Sequence, residues 1–273
     1  MIQTFTTVFK RFFVERFFDQ AAMLAYYFIL STFPFLLFVL GIVGLLPFTS
    51  GDVIDALALI MPEGSYELLE GNIEAIFDDS RLGLASISIL PALWISSMAV
   101  QSLVRSLNDA YRLIRNKSFL RGALQDIAVT LALMFVLPFS LVIPVVEAAL
   151  REVSTHIIFI DEIVATYAQI WFYFRWIVGS LVLFSVFLLV YKWLPSHRGT
   201  IRDSWGGAAF ATIGILTVSN VFSYYSQYAN YERFYGQLGA FIVLLVWFYL
   251  AASVILLGGL LNATLIERKE KSD

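Results

Sequence analysis

No charged side chain occurs for twenty-four residues between Met23 and Leu46, which read MLAYYFILSTFPFLLFVLGIVGLL. A bilayer's hydrocarbon core is about 30 Å thick and a helix rises about 1.5 Å per residue, so roughly 20 apolar residues cross it. Comparable apolar stretches recur down the chain. The pattern predicts spans at about 23–46, 84–103, 123–146, 171–193, 206–226 and 237–261. Inside lipid every backbone amide must find its partner within its own segment, so these spans are expected as helices. Pro91 and frequent serines interrupt the second. The expected fold is an all-α integral membrane protein of six transmembrane helices, a single polytopic domain over 1–273.

The segments between the spans carry a second pattern. In 47–83, apolar residues recur at Val53, Ile54, Leu57, Ala58 and Met61, near helical spacing. They predict one or two short amphipathic helices joined near Pro62–Gly64. Eight acids in this loop read as a solvated face or as a mouth that attracts cations. The 147–170 segment alternates in the same way and is expected to cap the bundle. Ahead of the first span, Phe9, Phe12, Phe13, Val14, Phe17 and Phe18 stand beside basic residues. They predict an interfacial helix over 5–20, under anionic lipid. The first apolar run begins only after Lys10, Arg11, Glu15, Arg16 and Asp19. It exceeds a signal-peptide core of roughly 7–15 residues, so it is expected to remain as the first span.

Lysine and arginine orient the bundle. Fourteen lie at the N-terminus, in the loops after spans two and four, and in the C-terminal tail; Arg81, Arg151, Arg175 and Arg233 lie on the other face. This asymmetry places both termini in the cytoplasm. The five basic residues between 105 and 121 follow from the same bias, and no nucleic-acid partner is expected.

Composition narrows the chemistry. Hydrophobic residues make up 59% and charged residues 14%, and the mean hydropathy is +0.79. A soluble domain carries about 25% charged residues. Cysteine is absent, which removes disulfides and thiolate metal ligands. The two histidines, His156 and His197, fall on opposite faces and cannot share a metal or a triad. Neither a phosphate-cradling GxxxxGKS-type loop nor an HExxH motif occurs. The chain is expected to be no enzyme, with no catalytic residues, no metal and no cofactor.

Polar groups inside a membrane need a partner or a purpose. Arg175, near the outer end of span four between Trp171 and Trp176, reads as an arginine snorkelling to phosphates or as a clamp for an anion. Asn220 in span five reads as helix–helix glue or as part of a polar path. Arg105 and Asp126, at inner ends of spans two and three, could pair. Gln101, Asn108, Gln125 and Asn262 can hydrogen-bond between helices. Gly206, Gly207 and Gly214 let span five approach a neighbour closely, as do Gly258 and Gly259 in span six. Pro34 removes one amide donor from span one, which makes a static kink or a hinge; Ser31 and Thr32 stand nearby to mend the ladder. Tyr26 and Tyr27 place hydroxyls on a lumen or on helix contacts. A faint internal echo pairs Trp94 and Asn108 with Trp247 and Asn262, at separations of fourteen and fifteen residues.

AYYFILSTFPFLLFVLGIVGLL at 25–46, LWISSMAVQSLVRSLNDAYR at 93–112, Pro195, WGGAAFA at 205–211 and YGQLGAFIVLLVWFYLAASVILLGGLLNA at 235–263 follow one another in order. In these segments the chain resembles the YihY/virulence factor BrkB family of bacterial inner-membrane proteins. The matching positions are Tyr26, Tyr27, Pro34, Trp94, Asn108, Tyr235, Gly236, Trp247, Gly258 and Asn262. The resemblance implies six spans and cytoplasmic termini, in a multi-pass protein of the bacterial inner membrane. It supplies no reaction, although some members carry a ribonuclease label. Many members have a glutamate two residues before the last asparagine, where this chain has Leu260. A mechanism needing that carboxylate could not operate unchanged here.

The leading expectation is transport or translocation of an amphipathic or anionic envelope molecule such as a lipid. Arg175 would contact the anion, Asn220 would line the path, and Pro34 would bend. The alternative is a non-transporting scaffold for envelope assembly that meets a protein partner through 47–83 and 147–170. A membrane enzyme is the third reading. The only other partners expected are membrane lipids.

Overall fold

The computed structural model describes residues 2–43, 82–113, 127–131, 161–196, 199–228 and 237–271. Among them there is helix and no strand. The principal helices are α1 (Ile2–Val14), α2 (Phe17–Val43), α3 (Leu82–Ala110), α4 (Asp161–Trp193), α5 (Ile201–Tyr228) and α6 (Gln237–Glu270). By length and composition, the stretches Trp176–Trp193, Ile201–Phe222 and Phe241–Glu270 can each cross a membrane. The first and second expected spans fall on helices α2 and α3. Most of the third expected span, and the loop 47–81, lie outside the described residues.

Three of the differences from the expected boundaries have a local cause, while α3 and α6 simply run on past 103 and 261 to Ala110 and Glu270. The stretch 5–20 is not one helix. α1 stops at Val14, Arg16 takes a left-handed φ of 60°, and α2 starts at Phe17. The turn delivers Phe17, Ala21, Leu24 and Ala25 to the buried face of α2, so Phe17 is core rather than an interfacial ring. Arg16 also bonds Asp19 through Nε at 2.7 Å, within α2's first turn. A carboxylate there complements the positive end of the helix dipole.

α4 begins at Asp161, so 161–170, expected as loop, is helical. No proline or glycine occurs between Asp161 and Val178 to stop it. α5 begins at Ile201 rather than 206 because Thr200 caps it. The Thr200 N–H and Oγ1 both donate to Asp203 Oδ2, at 2.6 and 2.8 Å. A carboxylate at the third helical position reaching back to the capping residue is half of a capping box.

The chain forms two compact units, one of Met1–Ser31, Ile95–Asp126 and Ser180–Asp273, the other of Thr32–Trp94 and Ile127–Gly179. The first holds most of the described side chains. Within it α5 and α6 pack antiparallel: Gly206 lies against Leu265, Gly207 against Gly258 and Asn262, and Gly214 against Val254. A Cβ at Gly207 would collide with the Gly258 carbonyl oxygen and the Asn262 amide. Ala208, Ala211, Ala251 and Ala252 are buried nearby. Lipid is as apolar as leucine, so helices in it associate through close packing, which small residues permit.

The 99–110 portion of α3 is the enclosed element of this unit. Ala99, Val100, Ser102, Leu103, Val104, Ser106, Leu107, Asn108 and Ala110 are all buried, while Arg105 and Asp109 are exposed. α1 lies against α6, with Thr4, Val8, Arg11 and Phe12 buried. That spacing is one face of a helix.

Candidate functional site

Two polar joints tie the helix ends of the first unit together. The first is built around Arg11. Its apolar neighbours Val8 and Phe12 are buried, and the arginine side chain between them is only 7% exposed. A guanidinium has five N–H donors and cannot shed its charge, so burial demands partners. Nε and Nη2 grip Glu15 Oε1 and Oε2 at 2.9 and 3.1 Å, a fork one helical turn on. Nη2 also donates to the Ala110 carbonyl at 2.8 Å. Nη1 reaches Thr264 Oγ1 at 3.4 Å and stands 3.5 Å from Glu267 Oε1. Ala110 is the last residue of α3, where helix carbonyls lack partners and the dipole favours a cation. One arginine thus joins α1 to the ends of α3 and α6.

Arg112 Nη2 also donates to Glu15 Oε1, at 3.0 Å. Its left-handed φ of 53° comes from the way α3 ends. The Leu113 N–H bonds Asn108 O and the Arg112 N–H bonds Asp109 O, both at 2.9 Å. That pair of bonds is a Schellman ending with arginine where glycine is usual.

Burial alone would push the Glu15 carboxyl up. Hydrogen bonds from Arg11 and Arg112, with their charges, outweigh burial and hold it below its usual 4.5. A depressed folded value means that the contribution is complete above about pH 4.5 and is lost as pH falls through the folded value. A spin label at Thr7→Cys, clean in a chain with no cysteine, is expected to gain mobility on acidification through that window. Glu15→Gln is expected to abolish the transition; a transition that survives would assign it to another group. Asp109 moves the other way. Its partial burial raises it, opposed by the Gln20 amide and the Arg105 charge.

The second joint uses the two asparagines of the internal echo. Asn108 Oδ1 accepts the Ser196 N–H at 2.7 Å. Asn262 Oδ1 accepts the Gly207 N–H at 2.6 Å, and its Nδ2 donates to the Ser204 carbonyl at 3.3 Å. The α4–α5 connection is therefore held at both ends by asparagines from α3 and α6. Asn262 also hydrogen-bonds the Tyr111 phenol, whose burial raises it far out of the physiological range. Tyr191 donates to the Ile255 carbonyl at 2.7 Å, its ring filling the space left by the missing side chain of Gly258. In contrast, Ser102 Oγ, Ser106 Oγ, Asn108 Nδ2 and Gln20 Oε1 are enclosed with no hydrogen-bond partner among the described residues.

Of the residues singled out in the sequence, Asn108, Gly207, Gly258 and Asn262 meet in this second joint. Asn220 is exposed and donates to the Leu216 carbonyl of its own helix at 2.7 Å. Arg175 is on α4, but its side chain lies outside the described residues, as does that of Pro34 on α2. Ser31 Oγ donates to Phe28 O at 2.9 Å. Tyr26 and Tyr27 meet edge to face at 5.6 Å, with Tyr26 exposed. Trp94 is exposed, and Trp247 Nε1 donates to Ser219 Oγ at 3.4 Å. Asp126, Tyr235 and Gly236 lie outside the described residues. Leu260 is wholly enclosed, and its carbonyl accepts the Thr264 hydroxyl at 2.7 Å. Sequence reading passed over Arg11, Glu15, Tyr111, Tyr191 and Thr264. Val8, Arg11, Phe12 and Glu15 share one helix face, and that spacing was the available signal for the first joint.

No solved structure matches this chain. A Bacillus subtilis (strain 168) protein named ribonuclease-like protein YfkH is 36% identical over 267 residues, covering 97% of this chain and 96% of the relative. A UPF0761 membrane protein of Aliivibrio salmonicida is 27% identical, covering 94% of this chain and 81% of that protein. A UPF0761 membrane protein of Xanthomonas campestris is 24% identical, and the match spans only 59% of its length. The family described as Virulence factor BrkB matches residues 8–273. With the apolar helices and the Asn108, Gly207, Gly258 and Asn262 joint in place, this match makes the chain a member of the virulence factor BrkB family.

Proposed function

We propose that this protein is a multi-pass protein of the bacterial inner membrane that moves an amphipathic or anionic envelope molecule, such as a lipid. The observation that carries the reading is the uncommitted hydrogen-bonding capacity of α3. Ser102 Oγ, Ser106 Oγ and Asn108 Nδ2 are buried without partners among the described residues. Buried polar atoms in native proteins are nearly always paired, and unpaired ones inside a membrane protein point to function. In this reading Arg175 contacts the anionic group, Asn220 lines the route and Pro34 lets the first span bend. In this reading the chain does no catalysis, and purified protein is expected to leave RNA intact with or without divalent metal.

The test is reconstitution into vesicles carrying a fluorescent phospholipid, with the outer-leaflet label bleached chemically. Native protein is expected to render the inner-leaflet label bleachable, and Arg175→Ala to slow that loss without lowering expression. Identical traces from native, Arg175→Ala and protein-free vesicles would remove the proposal. The saturation of the Arg11 joint favours a second reading, a fixed scaffold for envelope assembly. Crosslinking in cells that captures a stoichiometric partner, together with no lipid movement, would select it.

A further inference from the structure

Beside the Arg11 joint, α1 and the last turn of α6 border an open groove of about 620 Å³. Its walls include Thr6, Thr7, Lys10, Glu15 and Arg268. The charges are unequal in their commitments. Glu15 is engaged by Arg11 and Arg112, and Arg11 is spent on Glu15 and Glu267. Lys10 and Arg268 are exposed and face no carboxylate within ion-pair distance among the described residues. Arg268 makes one bond, from Nη1 to Thr4 Oγ1 at 2.7 Å, which fixes its direction and leaves other N–H groups to donate.

A second groove adjoins the first and shares Thr6 and Lys10 with it. Its remaining walls are Phe5, Phe9 and Phe13, three exposed rings one helical turn apart. Phe5 lies 6.2 Å from Phe210, within the membrane-crossing stretch Ile201–Phe222 of α5. The ring row is thus continuous with a helix long and apolar enough to cross a membrane. Lys10 marks the boundary between a cationic groove and an aromatic face.

We infer that this pair of grooves binds one acidic glycerophospholipid from the leaflet at this end of the bundle. The phosphate sits between Lys10 and Arg268, and an acyl chain lies along Phe5, Phe9 and Phe13. Two uncommitted cations favour a headgroup with net negative charge over a zwitterion. The apolar row selects a lipid over a free anion. Binding here does not depend on lipid movement: a protein that holds this lipid and moves none would leave the site standing and remove only the transport reading.

The test uses full-length protein in a neutral maltoside detergent, titrated with phosphatidylglycerol and read by native mass spectrometry. Saturable binding of one lipid is expected, with phosphatidylcholine clearly weaker and inorganic phosphate unable to compete. A basic group near a lipid headgroup contributes on the order of 1 kcal/mol, so Lys10→Gln and Arg268→Gln should each weaken binding about fivefold. Lys10→Arg should restore it, and Phe9→Ser should weaken both lipids alike. Arg202→Gln, an exposed cation of α5 outside the groove, should change nothing. Equal affinity for the two lipids, loss in Arg202→Gln as large as in Lys10→Gln, or displacement by phosphate would each overturn the site. Melting curves are expected to show both cation variants folded, because Lys10 and Arg268 are exposed.

Discussion

Gly207→Leu is expected to break the α5–α6 pair and leave little folded protein. Where a side chain would start, the Gly258 carbonyl oxygen and the Asn262 amide already stand. Neither can yield. The carbonyl belongs to helix backbone, and Asn262 is fully buried and bonded to the Gly207 N–H and the Ser204 carbonyl. Forcing extra carbon into a packed core costs about 1–3 kcal/mol and occasionally more. Separating the helices here also forfeits the Asn262 bonds, each worth about 1 kcal/mol. The loss should therefore reach or exceed the upper end of that range, and Gly207→Ala should already be damaging. Two controls fix the cause. At Gly214 the nearest atom is Val254 Cγ1, 2.6 Å from the added carbon and on a side chain rather than on helix backbone, so Gly214→Ala should be milder. At Gly179 nothing stands within 4 Å among the described residues, so Gly179→Ala should be neutral or slightly stabilising. Melting temperatures in detergent give the order directly. Equal melting of Gly207→Ala and Gly179→Ala would show that close approach is not what holds these helices.

The parts legible in the sequence are those that one-dimensional patterns encode. Long runs without charge set the membrane class, and the glycines of WGGAAFA and LLGGLLNA announced the tight pair they form. The faint echo of Asn108 and Asn262 also has chemical content, since each accepts a backbone N–H, Asn108 from Ser196 just after α4 and Asn262 from Gly207 in the second turn of α5. The break at Arg16 was not legible. Left-handed backbone is usually signalled by glycine, and among the described residues both non-glycine examples, Arg16 and Arg112, are arginines whose charges are taken up by Asp19 and Glu15. Arg11 escaped for a related reason. Counting Lys and Arg to orient spans treats every cation alike, whereas the register of Val8, Arg11, Phe12 and Glu15 puts this one on the packed face. The extra ten residues of α4 were hidden because charged loop and charged helix look the same when no proline or glycine separates them.

Arg11→Met carries the second largest expected effect. Methionine keeps most of the length and the apolar stem, so the experiment removes the guanidinium and little packing. What remains is a partly buried Glu15 carboxylate, a Glu267 carboxylate and an Ala110 carbonyl that has lost this donor. Removing one partner of a buried ion pair costs about 3–5 kcal/mol, because the other is left desolvated. Glu15 is 28% exposed and retains Arg112, which argues for the lower end of that range. Arg16→Met is the matched control. Its bridge to Asp19 has the same short geometry at 2.7 Å but is 76% exposed on the arginine side, and such surface pairs are worth about 0–1 kcal/mol. The double variant Arg11→Met/Glu15→Leu should recover part of the loss, since it removes the stranded carboxylate along with its partner. Greater mobility of a spin label at position 7 in Arg11→Met, reduced in the double variant, would locate the damage at the docking of α1. If Arg11→Met and Arg16→Met melt together, the buried guanidinium is not what fastens α1 to α3 and α6.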